Sequence, residues 1–95
     1  MAATEGTATI DFGSFPGLSI TSTVVSGQAA ILSGSRVEAY FMAETTADHT
    51  VNDHVYGNSL IELTCGAIVA GTSFTIFATC LDLMQGTFTV HWIWV

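Results

Sequence analysis

Apolar and polar residues alternate with a period of two along most of the chain, and the helical period of 3.6 is nearly absent. Ala8, Ile10 and Phe12 predict a first strand, closed by the turn-rich run Gly13-Ser14-Phe15-Pro16-Gly17. Leu18, Ile20, Ser22 and Val24 mark a second strand, which stops at Ser26-Gly27. The segment 28–32 fits either a short strand or a single helical turn. Over 36–44, Val37, Ala39, Phe41 and Ala43 share one face, and Arg36, Glu38, Tyr40 and Met42 the other. A polar loop is expected over 45–53. The next strand starts at Val55 or Ser59 and ends at Cys65 or Ala67. Val69-Ala70-Gly71-Thr72 predicts the turn of a hairpin leading into a strand over 73–80. Residues 81–86 read as a connection and 87–95 as the last strand.

Six to eight short strands separated by turn signals predict an all-β fold, a compact antiparallel β-sandwich of immunoglobulin-like or jelly-roll-like type. Each long strand has one apolar and one mixed face, which suits two packed sheets better than a barrel. The 95 residues are read as a single domain, 1–95, with no internal repeat or linker. No apolar run approaches the ~18–20 residues of a membrane-spanning helix. The first residues carry no basic cluster and no apolar core of a signal peptide.

Charge narrows the partners. Eight acidic residues face one cation, Arg36, for a formal net charge of −7. Neutralising phosphates takes several Lys or Arg, so neither a nucleic acid nor an anionic membrane surface is an expected partner. An acidic surface keeps copies soluble and apart; a divalent-cation requirement is the alternative. Of the two cysteines, Cys65 continues the parity of Ile61 and Leu63, and Cys80 that of Phe74, Ile76 and Ala78. Both therefore read as reduced, buried thiols in preference to a disulfide.

Candidate chemistry is concentrated in Thr46-Ala47-Asp48-His49-Thr50-Val51-Asn52-Asp53-His54. Asp48, His49, Asp53 and His54 are the only candidates for a metal site. Their spacing opposes it, since His49 and His54 fall on opposite faces of a strand and ~140° apart on a helix. Neither a zinc-binding His-Glu-x-x-His nor an EF-hand order is present. Side-chain bonds to the backbone of a loop explain the cluster better. Nucleophile elbows and phosphate-binding glycine loops are also absent from the sequence, so no catalytic residue and no cofactor is expected. His91 lies within the final strand, where cross-strand hydrogen bonding accounts for it. That strand carries Phe88, Val90, Trp92 and Trp94 on one face and ends with Ile93 and Val95 on the other. Trp92, Ile93, Trp94 and Val95 are accordingly expected at an interface, although the tryptophans also suit the core.

Several stretches resemble a family. Residues 6–17 (Gly-Thr-Ala-Thr-Ile-Asp-Phe-Gly-Ser-Phe-Pro-Gly), 26–39, Thr46-Ala47-Asp48-His49, Asn52-Asp53-His54, 68–76 and the terminal Trp92-Ile93-Trp94 are similar to small virion structural proteins of tailed bacteriophages. The chain departs from that pattern in two places: 81–86 is shorter than the Gly-rich insertion of the family, and Asn52 stands where a second acid precedes the second histidine. The latter weakens a metal role further. The resemblance implies a virion component, foremost a capsid decoration (cement) protein. It would be made in the host cytoplasm and act as a homo-oligomer, a trimer among the options, on the major capsid protein. The alternative is a tail- or fibre-associated host-binding module. An enzyme or a metal-binding protein is the remaining class.

Overall fold

The computed structural model describes residues 3–95. Its elements are β1 (Thr4–Asp11), β2 (Leu18–Val25), β3 (Val37–Phe41), α1 (Val51–Leu60), β4 (Ile61–Val69), β5 (Ser73–Met84) and β6 (Thr87–Trp94). Two three-stranded antiparallel sheets face each other, ordered β1-β6-β3 (sheet A) and β2-β5-β4 (sheet B). The fold is a β-sandwich, as the alternation predicts. Only β4 and β5 are joined as a hairpin; every other connection crosses from one sheet to the other.

Between the sheets, Ile10, Phe88, Val90, Trp92 and Trp94 of sheet A meet Ile61, Phe74, Ile76 and Ala78 of sheet B. Phe12 and Ile31 close the ends of this layer with no exposure at all. Aromatic rings meet edge to face: Phe12 and Phe41 each stand on Phe88 (6.1 and 5.9 Å between centroids), and Phe74 stands on Trp92 (5.3 Å). Both tryptophans take the core position that the sequence reading held open for them. Trp92 and Trp94 are 6% and 7% exposed and lie in the core. Their indole N–H groups donate to the Thr7 carbonyl and the Gln28 side chain, which lets them be buried without an orphaned donor.

Three further expectations change. The stretch 51–60 is a helix, where the sequence pattern predicts first a loop and then a strand. Thr50 caps it: its hydroxyl accepts from the Asp53 N–H, and the Asp53 carboxylate accepts from the Thr50 N–H. The helix buries only His54 and Gly57 and leaves Val51, Val55, Tyr56 and Leu60 exposed, so it has no apolar stripe to betray it. β5 runs on to Met84 through an irregular stretch between Thr79 and Met84, where a connection was expected. Segment 28–32 is neither strand nor helix; it is pinned to the β4–β5 turn by bonds from Gln28 N–H to the Thr72 carbonyl and from Gly71 N–H to the Ile31 carbonyl.

The apolar parity of β2, Leu18, Ile20 and Val24, points to solvent, while Thr21, Thr23 and Val25 turn inward. The Thr21 hydroxyl donates to the Asp11 carbonyl at 2.9 Å, tying the inner face of β2 to the end of β1. Cys65 and Cys80 are free thiols packed against the core. They pair with Ile76 and Ile61 respectively, four residues apart along the β4–β5 ladder. Burial, helped by the Glu38 charge, pushes the Cys65 thiol above its ordinary range.

Gly57 sits where α1 presses on the core. A Cβ there would lie 3.4 Å from Phe88, 3.6 Å from Ile61 and 3.7 Å from Phe41, ordinary contact distances. Gly57→Ala should therefore stabilise the fold by about 0.5–1 kcal/mol, the mid-helix difference between the two residues. Urea unfolding would measure it, and a destabilised variant would mean that the helix needs a closer approach than a methyl group permits.

Candidate functional site

The backbone of β6 sets the geometry of the Asp/His cluster. Arg36 and Val95 exchange both of their backbone hydrogen bonds, at 3.1 and 3.0 Å. On the β3 side of β6, the groups that point outward for pairing are thus those of Val95, Ile93, His91, Thr89 and Thr87. β3 ends at Phe41, opposite Val90. Beyond that point the amides of Thr89 and Thr87 have no strand to bond.

Side chains take the place of the missing strand. His54 Nε2 accepts from the Thr89 N–H at 3.1 Å. Asp48 Oδ2 accepts from both the N–H and the hydroxyl of Thr87, at 2.9 and 2.8 Å. The Thr46 hydroxyl donates to the Thr87 carbonyl at 2.8 Å. The loop itself is closed by the Thr46 N–H bonding the His49 carbonyl, with Asp48 and His49 N–H groups returning to the Thr46 hydroxyl.

Each member of the cluster is thereby committed. His54 has no exposed surface, and its Nδ1 donates to the Thr50 carbonyl at 3.0 Å. With Nε2 accepting, the ring is held as one neutral tautomer and has no lone pair left for a metal. His49 lies flat on Phe88, 3.9 Å between centroids, with Nε2 at 2.7 Å from the Gln85 carbonyl and Nδ1 at 3.3 Å from the Asp53 carboxylate. Both partners of His49 are oxygen acceptors, so the ring is tied at each nitrogen to a different part of the loop region. The Thr87 hydroxyl and N–H hold the Asp48 carboxyl below its ordinary value, and the Thr50 N–H with the His49 ring does the same for Asp53. Gly86, at φ +81°, passes directly beneath, where any Cβ would lie 2.9 Å from the Asp48 side chain. A cleft of about 380 Å³ opens beside the clamp, lined by Asp11, Asp48, His49, Gly86 and Thr87 among others. Among the described residues, no three His, Cys, Asp or Glu side chains converge as metal ligands.

A second polar group lies on the outer face of sheet A. His91 Nε2 meets Glu44 Oε1 at 2.8 Å, and the Tyr40 ring stacks on the imidazole at 5.8 Å. The neighbouring groove of about 350 Å³ is lined by Glu5, Gly6, Thr7, Tyr40, Met42 and His91, a set without serine or cysteine. Ile93 sits on this same face, half-buried between Glu5 and Glu38 of the flanking strands. Val95 is half-exposed at the end of the sandwich, where it lines an open groove of about 760 Å³ with Leu32 and Trp94.

The surface that sequence reading missed is the outer face of sheet B. Its register sets Ile20, Thr79 and Glu62 in one row, Ser22, Phe77 and Thr64 in the next, and Val24, Thr75 and Gly66 in the third. Ile20 and Val24 are 66% and 61% exposed and Phe77 is 40% exposed, with Leu81 and Leu83 exposed beyond them. The outward parity of β2 could not be read from its own residues, because alternation names two faces without saying which is inside.

No family model, curated protein or solved structure matches the chain.

Removing the imidazole of His54 orphans the Thr89 N–H and opens a void. His54→Ala should cost about 2–4 kcal/mol, from an unsatisfied buried donor and a cavity together. A loss below about 1 kcal/mol in chemical denaturation would show that water or a neighbour replaces the ring.

The two carboxyls make a pH prediction. Folding lowers both from the ordinary aspartate value of 3.8, so their stabilisation is complete above that value and disappears as pH falls through the lower folded values. Unfolding monitored below pH ~4 should steepen accordingly. Asp48→Asn should be less stable at neutral pH but lose less stability on acidification. An acid limb with the slope of the parent would remove Asp48 from the account.

Proposed function

We propose that the chain is a structural component that works by docking, in the manner of the phage virion proteins it resembles, foremost as a capsid decoration protein. The observation that carries this reading is the outward apolar parity of β2. Together with Phe77 it gives sheet B an exposed face of Ile, Val, Phe, Ser and Thr, where a solitary sandwich would turn that parity inward. Fully burying one such aliphatic side chain is worth about 1.5–3 kcal/mol, so a face of this kind favours association. Support also comes from the Asp/His cluster, whose side chains are occupied in closing the fold. The acidic exterior suits the outside of a particle filled with DNA, because it gives the packaged polyanion nothing to hold.

Particles that lack the protein supply the test. Added back, the purified chain should bind saturably, in numbers comparable with the capsid subunits, and raise the temperature at which the particles release DNA. Phe77→Asp should abolish this at unchanged circular dichroism. A few copies per particle, confined to the tail and without thermal effect, would favour the host-binding alternative. No binding to any part of the particle would remove both.

A further inference from the structure

We infer that the occupant of the outer face of sheet B is a second copy of this chain, the two packed face to face about a twofold axis running across the strands. This rests on the reading of that face as a docking surface and names what docks there.

Charge restricts where two copies can meet. Each copy carries eight carboxylates and one cation, Arg36, so contact through most of the surface sets like charges together. The outer face of sheet A presents Glu5 and Glu38, with Glu44 bonded to His91 beside them. Across the three paired rows of sheet B there is one charge, Glu62, and it lies in a corner.

Register then selects the axis. Phe77 occupies the centre of the rows, on the middle strand. An axis across the strands through this row lays β2 on the second copy's β2, with Ile20 over Val24 and Phe77 over Phe77. It sets Glu62 over the second copy's Gly66, which offers no side chain to desolvate it. The two Glu62 carboxylates are then displaced by four residues along the strand, about 13 Å. That exceeds the ~8 Å over which charges act at physiological salt. An axis along the strands would instead lay β2 on the second copy's β4, burying the Glu62 carboxylate against Ile20.

Sedimentation equilibrium of the full chain in 0.15 M salt, across a wide concentration range, tests the inference. A dimer is expected, converted to monomer by Phe77→Asp and by Val24→Asp with unchanged circular dichroism. Thr9→Asp, which adds the same charge to the outer face of sheet A, should remain dimeric. The axis has its own probe. With both native cysteines replaced by alanine, Ser22→Cys should be linked to its own copy by a short bismaleimide, because only an axis across the strands sets Ser22 over its own copy, about 10 Å away across packed sheets. A chain that stays monomeric at every concentration, or a dimer indifferent to both charge substitutions, would overturn the inference. So would a dimer in which Ser22→Cys fails to cross-link. A monomer that still binds particles through Phe77 would leave the docking role standing with another protein as occupant. A dimer that binds no particle would reverse that outcome.

Discussion

The first residues of β6, which outrun β3, place a demand on the structure that much of the chain's polar sequence serves. A central strand needs partners on both sides, and a buried backbone amide without one costs about as much as a lost hydrogen bond, or more. Past Phe41 the chain does not continue β3. It folds back through 45–50 into α1 and offers a histidine, an aspartate and a threonine to the backbone of Thr89 and Thr87. The helix follows from this demand more than from its own sequence: its two buried positions, His54 and Gly57, are the ligand of Thr89 and the point of contact with Phe88. The same ring system organises the packing, since His49 lies flat on Phe88 while Phe12, Phe41 and His54 meet it edgewise.

Where the sequence was legible, burial alone decided the outcome. Ile10, Phe12, Val37, Ala39, Phe41, Phe74, Ile76, Ala78, Val90, Trp92 and Trp94 alternate and face inward, and their spacing is enough to predict a sandwich. The helix was illegible because its exposed residues, Val51, Val55, Tyr56 and Leu60, obey no period. The signal that could have found it is the Thr50-x-x-Asp53 capping box, a local pattern independent of amphipathicity. In the Asp48–His54 stretch, residue types suggested chemistry while spacing argued for backbone bonding. The structure has the spacing's answer, with partners 35 to 41 residues away that no local reading can name.

The two outer faces of the sandwich divide the surface chemistry. Sheet A carries carboxylates, with Ile93 shielded between Glu5 and Glu38 and His91 held by Glu44 and Tyr40. Sheet B carries hydroxyls and apolar groups. β2 is an edge strand without lysine or proline, two of the devices that usually protect such an edge. An inverted parity of this kind lowers the stability of the isolated chain, which makes it informative about what the surface contacts.

Sheet A has a further property that concerns time. Its middle strand, β6, comes last of its three strands in chain order, and Thr7 pairs with His91. Ribosomes add about 5–20 residues per second, so β1 waits on the order of 5–15 s for the strand that gives it a sheet. Sheet B has all its strands by Met84, and its β4–β5 hairpin is local enough to form at once. The two sheets therefore differ in how local they are: the β4–β5 ladder joins neighbours in the chain, whereas sheet A closes only by pairing Thr7 with His91, a contact of long sequence separation that slows folding.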